Sequence, residues 1–213
     1  MTNVPAIHSI DSGVPALGVL ISGRGSNLQA IIRAIADARL TARIGVVISN
    51  RPDAGGLEHA RTAGIPTAVI EHKRFDSRAA FEEALVARLV EAGASVICLA
   101  GFMRILSPFF IERAPGPVLN VHPSLLPSFP GVDAQQQAWT HGVKVAGATV
   151  HLVTTELDAG PIIVQAPVPV LDDDTPASLA ARILVQEHRI YPDAITRVLS
   201  ARWHVEGRRF VCR

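Results

Sequence analysis

The sequence predicts an α/β fold: a mostly parallel sheet with helices on both faces. Three observations predict it. Short runs such as "LGVLI", "ARIGVVIS" and "SVICLA" hold consecutive apolar residues rather than alternating ones, as strands buried on both faces do. Between them lie stretches whose apolar residues recur at helical spacing. Loops rich in glycine or proline separate the two kinds of segment. Strand and helix in alternation make βα units on a parallel sheet, a Rossmann-like arrangement.

The elements follow in order. Leu17–Ile21 is a strand, and "SGRGSN" (22–27) is a small-residue loop. "LQAIIRAIADA" places apolar residues at 28, 31, 32 and 35, one face of a helix. Residues 42–49 are the second strand. "GGLEHARTAG" is a short helix that stops at Gly64, a natural position for a left-handed residue. "PTAVI" is the third strand. "DSRAAFEEALVARLVEAG" is a helix with Asp76 or Ser77 as N-cap and Gly93 as its stop. "SVICLAG" and "PVLNV" are the fourth and fifth strands. After Gly131 two strand-like runs, "VAGATVHLVT" and "PIIVQAPVPV", flank "TELDAG" and extend the sheet with some antiparallel pairing. A long C-terminal helix starts at Thr175–Pro176, and Pro192 should kink or break it near Tyr191. A hairpin around Glu206-Gly207 closes the chain. The expected organisation is a loose leader over residues 1–16 and one domain over 17–213. Its two halves are 17–115, which binds a phosphate, and 116–213, which carries the chemistry.

Composition narrows the function. The 213 residues are 48% hydrophobic, enough for one cored domain. The net charge is +1 and the basic residues are scattered, so the clustered basic face of a nucleic-acid binder is not expected. Two cysteines, Cys98 in a strand and Cys212 near the end, are poor disulfide partners and suit a reducing compartment. No CxxC or HExxH occurs, so no metal is expected. The leader has no basic start followed by a continuous apolar stretch, so it is not read as a signal peptide. No run approaches the ~20 apolar residues of a membrane span. A cytoplasmic protein, monomer or homodimer, is the expectation.

Four stretches can carry chemistry. In "SGRGSN" the glycines let backbone N–H groups approach an anion at a helix N-terminus, and Arg24 adds a counter-charge. The pattern is neither GxGxxG nor a P-loop, so a single phosphate fits better than a dinucleotide or triphosphate. A plain βα turn would need the same glycines. In "LNVHPSLLPSFPG" Asn120 and His122 share a face at a strand's carboxyl end, where parallel sheets bind ligands. An amide can donate to an oxyanion and an imidazole can move a proton near pH 7. Three prolines then stiffen the exit. Satisfying turn groups would be the bland role of both side chains. In "TTELDAGPI" Glu156 and Asp158 sit in a Gly-Pro loop, and an Asp beside a His orients it and favours its charged form. Solvated loop acids would look the same. Glu187 in "VQEHRIYP" is helical, and most such residues face water.

Taken together, "LISGRGSNLQAII", "LAGFMRILSP", "LNVHPSLLPSFPG" and "ELDAGPI", in this order and at these separations, resemble the phosphoribosylglycinamide formyltransferase family. The likeness covers about residues 17–200. It implies a formyltransferase fold and transfer of the formyl group of 10-formyltetrahydrofolate, a co-substrate, to the amino group of glycinamide ribonucleotide in purine synthesis. It implies Asn120, His122 and Asp158 as catalytic residues. Gly25, Ser26 and Asn27, with Arg24, match the ribonucleotide-phosphate loop. Leu184, Val185, Gln186 and Glu187 match a second ribonucleotide contact. Arg78, Met103, Arg104, Ile105, Leu106 and Asn120 match folate contacts, and Thr154, Thr155, Glu156, Leu157 and Asp158 match the loop that holds the pterin. Two features depart from the family pattern. Arg24 stands where Asn or Thr is frequent, and "DAQQQ" (133–137) replaces a segment expected to hold histidines.

Four alternatives are weighed against this reading. A methionyl-tRNA formyltransferase would carry an additional C-terminal domain and a more basic exit loop. A formyltetrahydrofolate hydrolase would carry an N-terminal regulatory domain. A non-catalytic folate- or nucleotide-binding module would have no need of Asn120, His122 and Asp158 together. Formyl transfer to another amine would leave the same motifs.

Overall fold

The computed structural model describes residues 13–200 and 202–212. The expected leader lies mostly outside them. The chain divides into two compact units, Met1–Leu119 and Asn120–Arg213.

In the first unit, β1 (Ala16–Ile21) leads through the glycine loop into α1 (Ser26–Ala36). Then come β2 (Arg43–Ser49), α2 (Gly56–Thr62), β3 (Thr67–Val69), α3 (Arg78–Glu91), β4 (Ala94–Leu99) and α4 (Pro108–Arg113). The strands lie in the order β3-β2-β1-β4, and all three pairings are parallel. β1 is buried along its whole length, so its uninterrupted apolar run reports a central strand. Of the helix spacing read from 28, 31, 32 and 35, Ile32 and Ile35 are half-buried and Leu28 and Ile31 are buried. Each such side chain contributes about 1.5–3 kcal/mol on leaving water. Ser77 caps α3 by accepting from the Ala80 amide at 3.1 Å. Gly64 and Gly93 follow α2 and α3 with φ of 68° and 66°, the left-handed stops expected of them.

β5 (Val118–His122) spans the boundary of the two units. The second unit continues with α5 (Ala134–Thr140), β6 (Val145–Leu152), β7 (Ile162–Pro169), α6 (Pro176–Ser200), β8 (Trp203–Glu206) and β9 (Arg209–Cys212). β6 and β7 pair antiparallel, β7 and β9 parallel, and β8 and β9 form the expected hairpin. α6 packs on β6 and β7. Its start is held reciprocally: Ser178 N donates to the Thr175 hydroxyl at 3.1 Å, and Thr175 N donates to the Ser178 hydroxyl at 2.9 Å. The arrangement is the expected one, a mostly parallel sheet with helices, a long C-terminal helix and extra C-terminal strands.

Three expectations need correcting. Of the kink or break expected at Pro192, the break does not occur: α6 continues from Pro176 to Ser200. Ile190, Tyr191, Ala194 and Ile195 on either side of the proline are fully buried, and this packing outweighs the lost hydrogen bond. The short helices α4 and α5 were not expected. α4 buries only Phe110, and α5 only Ala134 and Ala138, too little apolar area to mark a period.

Candidate active site

The strand β5 delivers Asn120 and His122 to its carboxyl end, with Val121 between them on the opposite face. His122 is buried and Asn120 half-buried. Both ring nitrogens of His122 face oxygens. Nε2 is 2.8 Å from the Phe129 carbonyl oxygen. Nδ1 is 3.4 Å from Asp158 Oδ2. Neither oxygen can donate, so both ring nitrogens face acceptors. Asp158 Oδ2 also accepts from the Gly131 amide at 2.7 Å. The carboxylate thus ties the 154–158 loop to the proline-rich exit of β5.

The backbone on both sides of His122 is unusual. Phe129 and Asp158 adopt φ of 54° and 49°, a left-handed region disfavoured for residues with a Cβ. These two conformations present the carbonyl and the carboxylate that flank the imidazole. Such outliers concentrate at functional sites, where surrounding structure enforces them. Gly160 closes the same loop against β6. A Cβ there would lie 1.8 Å from the Leu152 carbonyl oxygen, so no other residue fits.

A second histidine completes the cluster. His151, on β6, is 2% exposed. Its Nδ1 donates to the Leu152 carbonyl oxygen at 3.0 Å. Burial pushes its imidazole below the ordinary range, against the pull of the Leu152 hydrogen bond and the Asp158 charge. A neutral ring with hydrogen on Nδ1 has an acceptor at Nε2. Asn120 Nδ2 lies 3.3 Å from that atom. One amide hydrogen of Asn120 is thereby committed, and the amide's orientation is set. The other hydrogen is available to an incoming oxygen. Asp158 Oδ1 is 3.7 Å from the same His151 nitrogen.

These bonds bring together all three residues that the sequence marked for catalysis, and the side-chain bonds just named all lie in the second unit. A carbonyl carbon bound here would meet an amide donor and an imidazole backed by a carboxylate. That equipment stabilises a tetrahedral oxyanion and moves a proton.

Residues 17–195 match the formyl transferase family model. The chain belongs to the formyl transferase family. It is 47% identical over 190 residues to the phosphoribosylglycinamide formyltransferase of Escherichia coli (strain K12), covering 89% of this chain and 87% of that one. It is 49% identical over 184 residues to the trifunctional purine biosynthetic protein adenosine-3 of Homo sapiens. This chain spans only 18% of that longer protein's length, while 86% of this chain is matched. A crystal structure of glycinamide ribonucleotide transformylase 1 from Symbiobacterium toebii superposes with a TM-score of 0.92 at 48% identity, covering 98% of this chain and 99% of that one.

The remaining sequence-marked residues of this formyl transferase fall into separate groups. In the first unit, Gly25 precedes α1 with φ of 77°, and a Cβ on it would lie 2.5 Å from Gly56 Cα. Glycine is therefore required twice over, by conformation and by contact. The first amides of α1, at Ser26 and Asn27, follow it at a helix N-terminus. Arg24 is exposed beside them. Arg78, at the start of α3, donates from Nη2 to the Ile105 carbonyl oxygen at 2.5 Å and from Nε to buried Glu82 at 3.0 Å. Met103 and Ile105 are exposed, and Leu106 is buried. In the second unit, Thr154 Oγ1 donates to the Glu156 carbonyl oxygen at 3.3 Å. Thr155, Glu156 and Leu157 are exposed. Leu184 to Glu187 lie on α6, with Glu187 buried and Gln186 accepting from Arg189 at 3.0 Å.

Sequence reasoning missed His151, the Phe129 carbonyl and the Gly131 amide. His151 carried a signal: an imidazole inside "VAGATVHLV", an otherwise apolar strand, must find partners when buried. The two backbone groups carried none.

Proposed function

We propose that this formyl transferase moves the formyl group of 10-formyltetrahydrofolate to the amino group of glycinamide ribonucleotide. The observation that carries the reading is the joining of Asn120, His122 and Asp158 through His151, Phe129 and Gly131 around one strand end. The named relatives and solved structures supply the substrates by likeness.

In the proposed reaction the amine attacks the formyl carbon, and a C–N bond forms while the carbonyl oxygen gains the negative charge. The free Asn120 amide hydrogen and the protonated His122 ring donate to that oxygen. For this the Nε2 hydrogen of His122 leaves the Phe129 carbonyl for the oxyanion. Asp158 stays on Nδ1 and keeps the ring charged and oriented. The proton lost by the attacking nitrogen passes through solvent at Asp158 to the folate nitrogen as the C–N bond to folate breaks. No covalent enzyme intermediate forms.

The reading assigns Gly25, Ser26, Asn27 and Arg24 to the ribonucleotide phosphate and Leu184, Val185, Gln186 and Glu187 to the rest of that nucleotide. It assigns Arg78, Met103, Arg104, Ile105, Leu106 and the 154–158 loop to the folate. The test is to mix the protein with 10-formyltetrahydrofolate, with and without glycinamide ribonucleotide, and follow tetrahydrofolate. Release only with the ribonucleotide is expected. Release without it would make the protein a hydrolase, and no release in either case would make it a binding module.

A further inference from the structure

The loop that leaves β5 has few backbone donors with which to hold itself. Residues 123–130 include Pro123, Pro127 and Pro130, which have no amide hydrogen. Yet the Phe129 carbonyl oxygen of this loop lies 2.8 Å from His122 Nε2, and Phe129 keeps its φ of 54°. A left-handed residue with a Cβ persists only where its surroundings enforce it. The tethers come from β6 and β7.

Thr149, on β6, is fully buried. Its hydroxyl donates to the Ser124 carbonyl oxygen at 2.7 Å and accepts from the Leu126 amide at 3.1 Å. Gln165, on β7, donates from Nε2 to the same hydroxyl at 3.0 Å and to the Leu126 carbonyl oxygen at 2.9 Å. A hydroxyl has one hydrogen and two lone pairs, and Thr149 uses all three; Gln165 uses both hydrogens of its amide nitrogen. Ser124 carries the constraint forward: its buried hydroxyl donates to the Ser128 carbonyl oxygen at 2.5 Å. That carbonyl shares one planar peptide with the Phe129 nitrogen. Leu125 lies against β6 at Gly147, where a Cβ would come within 2.8 Å of Leu125 Cδ2. The carbonyls of Ser124, Leu126 and Ser128 are thus each held by a side chain, and Gly131 beyond them is held by Asp158. Phe129 sits between these two sets of tethers.

We propose that Thr149 and Gln165 are positioning residues for His122. Acting through Leu126, Ser124 and Ser128, they hold the Phe129 carbonyl in place. That carbonyl sets the direction of His122 Nε2 before the ring turns to the formyl oxygen. Both residues lie outside the group assigned to catalysis, and Gln165 is on the strand beyond the one that carries His151. The proposal rests on the formyl-transfer reading above. If the network only stabilised the fold, its loss would lower stability and leave the imidazole where it is.

The test compares wild type with Gln165→Met, Thr149→Val and Thr149→Ser. Gln165 occupies an exposed position of β7, so Gln165→Met keeps the length of the side chain and the packing while removing the donor. Thr149→Val keeps the shape and loses the hydroxyl, and Thr149→Ser keeps the hydroxyl. In Gln165→Met kcat should fall about three- to tenfold, since a hydrogen bond of this kind is worth about two- to tenfold. Thr149→Val should lose more, because it leaves both Leu126 N and the Ser124 carbonyl unpaired. KM for both substrates should stay within about twofold of wild type. Thr149→Ser should restore most of the rate, and adding Gln165→Met to Thr149→Val should cost little more, because both act through Leu126. Nitrogen-15 NMR of the His122 ring reads the positioning itself. The Nε2 resonance should move in Gln165→Met and Thr149→Val and return toward wild type in Thr149→Ser. An unmoved resonance in Gln165→Met overturns the proposal whatever the rate, and so does a moved resonance with kcat unchanged. Should Thr149→Val not fold, Gln165→Met decides alone. The NMR reading needs no substrate, so a wild-type protein that transferred no formyl group would sink the formyl-transfer reading and leave the positioning of His122 to be decided by the resonance.

Discussion

Glu82 holds in place the segment proposed to meet the folate in the first unit, and Glu82→Gln tests that role. The carboxylate is 1% exposed. Oε1 accepts from Arg78 Nε at 3.0 Å and from Ser107 N at 2.9 Å, and Oε2 accepts from the Ser107 hydroxyl. Arg78 then reaches the Ile105 carbonyl oxygen at 2.5 Å. One buried side chain thus holds both Arg78 and the segment leading to Ser107. Glutamine keeps the shape and one acceptor oxygen, and the Ser107 hydroxyl can turn to accept from its new NH2. What is lost is charge. Hydrogen bonds to charged groups contribute ~1.5–3 kcal/mol against ~0.5–1.5 for neutral ones, so two weakened bonds cost about 2 kcal/mol. The Arg78 side chain is 49% exposed, and solvent screening reduces its share. The expected loss is about 1–2 kcal/mol, a fall in Tm of about 3–6 °C for a domain of this size. With Arg78 and Ile105 released, KM for the folate should rise about three- to tenfold, while KM for the ribonucleotide and kcat stay unchanged. Urea denaturation and the two KM values decide the matter. A stability loss with both KM values unmoved, or moved equally, would reduce Glu82 to a packing residue.

Three more outcomes are expected. His122→Ala and Asp158→Asn should each lower single-turnover formyl transfer by roughly 10² or more, and the double mutant should be little worse than either, because the groups act as a unit; additive losses would separate them. Ser26→Ala or Asn27→Ala should raise KM for the ribonucleotide more than for the folate, and the Arg24→Ala effect should shrink at high salt; a salt-independent effect would make Arg24 structural. Because burial depresses the His151 imidazole, the unfolded chain takes up the proton first on acidification. The stability this contributes is present above about pH 6.5 and is lost as pH falls below it. His151→Gln should flatten that decline in denaturant midpoints below about pH 6.5, and an unchanged slope would refute the assignment.

The order of elements was legible because burial on both faces writes itself as uninterrupted apolar runs, as in β1 and β4. The helix stops at Gly64 and Gly93 were legible because a left-handed residue favours one amino acid. What was illegible depended on tertiary packing. Pro192 signals a break to any local rule, and only the buried neighbours of the proline show why α6 continues through it. α4 and α5 are short and bury one or two side chains each, so their pattern does not rise above that of a loop.

The site divides along the same line. Asn120 and His122 could be paired from sequence because strand alternation alone puts them on one face. The approach of Asp158 could not, since it depends on a left-handed turn 36 residues further along that Asp tolerates but does not demand. His151 adds a constraint of a different kind. Its Nδ1 donates to its own strand, so a neutral ring must accept at Nε2, and that fixes which end of the Asn120 amide faces inward. Were His151 charged, Nε2 would donate, the Asn120 amide would turn its oxygen toward it, and the open hydrogen that meets an oxyanion would point elsewhere. The burial that favours a neutral His151 therefore sets the orientation of the Asn120 amide, and the same desolvation ties stability and amide orientation to one pH window.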